Sequence, residues 1–222
     1  HDQARRLQCW DGKGDLHFAQ AFDTRLLPWI GGAHQRRAQN QQWLTQCSGA
    51  PGFANLFSAL RSHGQAGDDF QRHNNRQVCL HAGSFWRPSQ TTASLVAQLQ
   101  GPASVLAATG TSAPCLSLFQ PLSLSAESGA AVLGDPLTAI EQSLWWRFEP
   151  VHRRALVDRA FRQGLRNSRN ALETQLWLAL QQPQVAWAQL AAQARNWHRD
   201  WHSQALQGSV PLNRWWRRQA QL

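Results

Sequence analysis

The hydrophobic period changes along this chain, and that change limits its fold class more than any other feature. Between residues 77 and 121 it is close to two. Val78, Leu80 and Ala82 alternate with Gln77, Cys79 and His81, and Ala93, Leu95, Ala97 and Leu99 alternate with Thr92, Ser94 and Gln98. A period of two puts successive side chains on opposite faces of a strand. The runs 105–109 and 115–119 add two more short candidates, Gly101-Pro102 supplies a tight turn, and Pro121 stops the series. Four short strands with short connections predict an antiparallel meander. Its polar alternate positions make one face either solvated or the lining of a site.

Outside that window the period returns to about 3.6. Residues 33–46 are rich in Gln and Arg and read as a solvated helix. Pro51 opens a short helix with Phe53, Leu56, Phe57 and Leu60 on one face, and His63-Gly64 closes it. Asp135 is a good N-cap, with Pro136 behind it and a stripe of Leu137, Ile140, Leu144 and Phe148. Pro150 predicts a break. A following helix carries Val151, Ala155, Leu156, Ala160 and Phe161 to about Gly164. Asn170 and Glu173 have capping-box spacing. The last helix bears Trp187, Leu190, Ala194, Trp197 and Trp201 and ends at Gly208. The predicted class is α+β. Residues 1–125 hold the meander, and 126–222 form a helical layer and C-terminal extension of the same domain.

Composition removes several function classes. A chain of 222 residues, 42% hydrophobic and 16% charged, can build a core without staples. No apolar run has the length that a bilayer demands, and the first residues carry no charged-then-apolar leader. The expectation is a cytoplasmic chain without membrane contact. The net charge of +9 admits a nucleic-acid binder, yet the basic residues are scattered pairs such as Arg36-Arg37 and Arg153-Arg154, and Lys13 is the only lysine. Cys9, Cys47, Cys79 and Cys115 are far apart and show no zinc or haem spacing, so free thiols and no metal or cofactor are expected. Met is absent and His1 stands first, which predicts a portion of a longer translated protein.

Several residues invite chemistry. His198 and His202 have the four-residue spacing of metal ligands on a helix, but the segment His-Arg-Asp-Trp-His lacks a Glu and a third ligand, so a packed pair is expected. Cys79 and His81 would share a strand face, and their Cα atoms would stand roughly 6–7 Å apart, too far for direct activation. His81 faces the polar side. Trp145-Trp146 and Trp215-Trp216 diverge on a helix and are assigned to core and subunit contacts. The loop Thr109-Gly-Thr-Ser-Ala-Pro114 is rich in small hydroxyls and backbone donors, and reads equally as a hairpin connection or a substrate loop.

Five segments carry a family resemblance. Val78-Cys-Leu-His-Ala-Gly83, Ser89-Gln-Thr-Thr-Ala-Ser-Leu-Val96 and Ala108-Thr-Gly-Thr-Ser-Ala-Pro-Cys115 resemble, in this order, the secernins and their bacterial dipeptidase relatives. Leu144-Trp-Trp-Arg-Phe-Glu149, followed by His152-Arg153, is similar to a helix of that family, with Phe148 where the family has His. Cys9-Trp-Asp-Gly-Lys-Gly-Asp-Leu-His-Phe-Ala19 also looks like a family segment. The resemblance implies part of a four-layer αββα N-terminal-nucleophile hydrolase fold. It also implies a cysteine peptidase whose mature N-terminal cysteine attacks an amide while its own α-amino group acts as base. No cysteine of this chain stands first. The expectation is therefore the C-terminal part of such an enzyme, with no catalytic residue in this chain. Its partners would be a small peptide substrate, the remaining N-terminal part of the polypeptide, and further copies in an oligomer. Pocket candidates are His81, Arg87, Gln90, Thr91, Thr109 and Thr111, with Arg87 suited to a peptide carboxylate. The same scaffold without catalysis, as a binding or regulatory protein, is the alternative.

Overall fold

The computed structural model describes residues 1–22, 30–67, 75–81, 89–100, 104–123, 143–182 and 184–208. Its helices are α1 (Asp2–Arg6), α2 (Phe18–Phe22), α3 (Ala33–Gln46), α4 (Phe53–Leu60), α5 (Leu144–Val157), α6 (Arg159–Ala179) and α7 (Trp187–Leu206), with a 3-10 turn at Gly64–Ala66. Strands β1 (Leu95–Gln98), β2 (Val105–Ala108) and β3 (Gln120–Ser123) form one antiparallel sheet in the order β1-β2-β3. Val96 stands opposite Ala107, and Ala107 opposite Pro121. The molecule is thus a small antiparallel sheet with helices, in agreement with the α+β class. No helix among the described residues is long and apolar enough to cross a membrane.

The meander differs from expectation at both ends. The segment 77–81 is bent, not a strand. Its amides are satisfied by distant groups: Cys79 N donates to the Ser62 carbonyl (3.1 Å) and Leu80 N to Thr91 Oγ1 (2.9 Å). Residues 115–119 are a turn rather than a strand. They follow Ala113, whose φ of +61° is the left-handed conformation a Cβ disfavours. Ala113 is held there by its amide on the Thr91 carbonyl (2.9 Å) and by Leu116 N on its own carbonyl (2.8 Å). Pro121 does not end a strand but lies inside β3, at an edge of the described sheet, where a missing N–H can face away from the ladder.

The helical half also departs from the sequence reading. Pro150 does not break α5, which runs through it. Phe148, Val151, His152 and Ala155 on both sides are at most 1% exposed, and that burial outweighs the roughly 3 kcal/mol that an interior proline costs. The break falls at Asp158 instead, whose Oδ1 accepts from Phe161 N (2.9 Å) and caps α6. Helix α6 continues through Gly164, beside which the Trp201 ring packs. Asn170 and Glu173 lie in the middle of α6, not at its start. The Gly101-Pro102 turn, the helix expected from Asp135 and the Trp215-Trp216 pair lie outside the described residues.

The core has two parts. The larger joins Cys79, Ala113, Cys115, Leu116 and Leu118 to Phe148, Val151, Leu165, Leu176, Leu190, Ala194 and Trp197 of the helices, so it spans both sides of residue 125. The smaller places α4 on the sheet through Phe57, Val96, Ala107 and Phe119, with Phe57 and Phe119 stacked at 4.1 Å. Helix α3 buries no residue, as its composition predicts. Its Arg36 and Gln39 side chains nevertheless hold the carbonyls of Asn75 (2.6 Å) and Arg76 (3.0 Å), and so fix the start of the bend that carries Cys79 and His81.

Candidate functional site

Three of the family-like segments meet at one carboxylate. Glu149 of α5 is 1% exposed. Its Oε1 accepts from Ser112 Oγ at 2.5 Å and from Gln90 Nε2 at 3.5 Å. Its helix neighbours Arg153 (3.4 Å) and His152 (3.7 Å) approach from one turn further on. Burial opposes ionisation of Glu149, but the interactions with His152, Ser112 and Arg153 outweigh it and hold the carboxyl below its ordinary value of 4.5. The group is therefore a carboxylate at neutral pH. Its stabilising contribution is present above 4.5 and lost as pH falls through the lower folded value. Ser112→Ala should lower stability by about 1.5–3 kcal/mol, the usual worth of a hydrogen bond to a charged group, and move the Glu149 titration upward. Denaturant unfolding across acidic pH measures both.

The fourth segment adjoins through an aromatic contact. The His81 and His152 rings lie 5.8 Å apart. His81 Nε2 then sits 3.1 Å from His63 Nε2, 3.4 Å from Cys115 Sγ and 3.6 Å from Cys79 Sγ. His63, Cys79, His81 and Cys115 are at most 5% exposed. The bent backbone accounts for the Cys79–His81 approach that a strand would not permit. Burial opposes ionisation of Cys115 too, yet the hydrogen bond from Cys79 and the interactions with His81 and His63 hold its thiol well below 9.0. Burial, and the hydrogen bond to Cys115, push the Cys79 thiol up. Burial lowers His81, whereas His63, despite its burial, is raised by its contacts with Cys115 and Gly67. The two sulfurs are thus driven in opposite directions, with imidazoles beside them. All four cysteines are free.

The remaining expected site residues are placed as follows. Thr91 is half-buried and ties two segments together, its N donating to the Leu80 carbonyl (3.1 Å). Thr109 and Thr111 are fully buried, and their hydroxyls are spent within the fold: Thr109 Oγ1 accepts from Ser94 N (3.0 Å) and Thr111 Oγ1 donates to Ser117 Oγ (2.6 Å). Arg87 lies outside the described residues. His198 is buried against Phe148 and 3.4 Å from the Gln120 amide, while His202 Nδ1 bonds the Arg147 carbonyl (2.6 Å), so the pair is packed as expected. Trp197 and Trp201 both donate to Ser168 Oγ (2.9 and 3.2 Å), a structural role. Phe148 is sealed in the core.

Sequence reasoning missed His63 and the role of Cys115, because nothing in chain spacing relates position 63 to 79, 81 and 115. It also missed the cavity of about 490 Å³ beside them, lined by His63, Cys115, Arg61, Arg166, Arg169 and Asn170 among others. Three guanidiniums give it a basic wall. Arg61 is committed to Glu173 (2.5 and 2.9 Å) and to the carbonyls of Pro114 and Ser117 (2.9 and 3.0 Å). Arg169 bonds the Cys115 carbonyl. Compared with protein-family models, with curated proteins and with solved structures, the chain matches none of them.

Proposed function

We propose that this chain is the C-terminal part of a thiol-dependent amide hydrolase of the secernin type, acting on small peptides. In this reading the attacking cysteine lies outside the 222 residues, and the sheet and helices belong to a larger four-layer αββα body. The observation that carries the proposal is the convergence of four of the five family-like segments. Gln90 and Glu149 are 59 positions apart, and His81 and His152 are further apart still, yet these segments meet at a buried carboxylate and an adjoining cluster of sulfur and imidazole. A chance likeness of scattered motifs gives no reason for them to share one centre.

The chemistry is acyl transfer. The thiolate forms an S–C bond to the amide carbonyl, the oxyanion is held by nearby donors, and the C–N bond breaks as the nucleophile's α-amino group passes a proton to the leaving amine. Water then cleaves the thioester and restores the thiol. This chain contributes the pocket wall and the positioning of the loop 109–115 against α5. Dipeptide hydrolysis by the full-length protein tests the reading. Turnover should fall roughly 1000-fold or more when the mature N-terminal cysteine is changed to Ala. No turnover of any dipeptide would instead favour the non-catalytic scaffold.

A further inference from the structure

We propose that His63, Cys79, His81 and Cys115 form a tetrahedral binding site for one borderline-soft divalent cation of the zinc class. Their ligand atoms all lie within 4.8 Å of one another. Two thiol and two imidazole donors with no carboxylate among them select zinc-like ions over magnesium or calcium. The proposal is independent of the hydrolase reading.

Three observations carry it. The first is the spacing. Metal–nitrogen bonds of about 2.0–2.1 Å and metal–sulfur bonds of about 2.3 Å imply tetrahedral edges of about 3.3 Å between nitrogens and about 3.5 Å between nitrogen and sulfur. Three of the six edges, those from His81 Nε2, are 3.1 Å to the His63 imidazole and 3.4 and 3.6 Å to the two sulfurs, and all six lie within 4.8 Å. The second is the tautomer of His63. Its Nδ1 stands 2.9 Å from the Gly67 carbonyl, which can only accept, so Nδ1 carries a proton and, in the neutral ring, Nε2 turns its lone pair toward the cluster. A second-sphere carbonyl of this kind is how ligating histidines are usually oriented. The third is valence. One His81 Nε2 faces three neighbours, and a single N–H cannot serve all of them, whereas a cation at the centre of the four does.

The fold prepares the site. Gln77 Nε2 donates to the His63 carbonyl (3.0 Å), and Cys79 N to the Ser62 carbonyl (3.1 Å), which clamps the two ligand segments to each other. Binding balances charge. Two protons leave to solvent, one for each sulfur that becomes a metal-bound thiolate. Two thiolates and two neutral imidazoles then compensate the dication in a buried place. Four protein ligands leave no open position, so the ion is structural rather than catalytic.

The test uses the native full-length protein, purified reduced and without chelator. Elemental analysis should find about one zinc per chain. Exchange for cobalt should give the intense visible absorption of tetrahedral cobalt with thiolate-to-metal charge-transfer bands. Cys115→Ser and Cys79→Ser should each weaken cobalt binding by more than about 100-fold, while Cys9→Ser and Cys47→Ser leave it unchanged. Should the ligand variants fail to fold, X-ray absorption on the wild-type cobalt form decides, with two sulfur and two nitrogen neighbours expected. A weak octahedral cobalt spectrum, a metal-free protein that takes up no cobalt, or a Cys79–Cys115 disulfide in the reduced preparation would overturn the proposal.

Discussion

Glu173→Ala is expected to lower unfolding free energy by about 3–5 kcal/mol, the usual cost of stranding one member of a buried ion pair. Glu173 sits in mid-α6 and joins three parts of the molecule. It holds both Arg61 nitrogens, and its Oε1 also accepts from Phe119 N at 2.8 Å. Arg61 in turn grips the turn at Pro114 and Ser117 and lies over the Phe119 ring at 4.9 Å. The arginine and glutamate side chains are 13% and 8% exposed, so water screens the pair little. Arg169 shows what the carboxylate balances. Burial, then the charge of Arg61, lower its guanidinium to about 10, and Glu173 acts against that fall. Removing Glu173 leaves two buried cations side by side and a buried amide unpaired. Glu173→Gln keeps the shape and an acceptor but not the charge, and should still lose most of the stability. Urea unfolding with an unchanged m-value measures it. A loss below about 1 kcal/mol for both variants would contradict the ion pair's role.

The second large effect is loss of stability in mild acid through His198. Full burial, then the neighbouring Arg147 charge, push this imidazole from 6.5 down to about 3. The sign follows from linkage. The unfolded chain binds a proton below 6.5 and the folded chain does not until about 3, so stability is complete above 6.5 and falls as pH drops between the two values. At pH 4.5 the cost is roughly 2–3 kcal/mol from this group alone. His198→Asn removes the titration and should flatten the stability profile between pH 6.5 and 4.5, even if the variant is weaker at neutral pH from lost packing on Phe148 and Trp197. Parallel curves for wild type and variant would refute the assignment.

Periodicity made the short helix α4 and the Trp-striped α7 legible, because apolar spacing decides which face is buried, while polar composition made the exposed helix α3 legible. The misses share one cause, which is that distant contacts decided the backbone. The alternation Val78/Leu80/Ala82 looks like a strand, but Ser62 and Thr91 take the amides of 79 and 80 and bend it. Pro150 looks like a stop, but buried neighbours on both sides carry α5 through. The Asn170–Glu173 pattern looks like a cap, but Glu173 is turned to Arg61, which lies 112 positions away. At the site, strand geometry separates Cys79 from His81, so the sequence points to His81 alone as a pocket residue. His63 read only as the end of a helix. The family-like segments named Gln90, Thr91 and the 109–115 loop, and the structure adds Glu149 and Ser112 as the contact that joins them.

The functional account places the attacking sulfur outside these residues and gives this chain the pocket and its framework. Alkylation of the full-length protein by a haloacetyl dipeptide, followed by peptide mapping, tests that division directly. A single label is expected on a cysteine outside residues 1–222, blocked by excess dipeptide, with the buried Cys115 untouched. Dipeptide-protected labelling of Cys115, or dipeptide turnover that survives with no cysteine labelled, would contradict it.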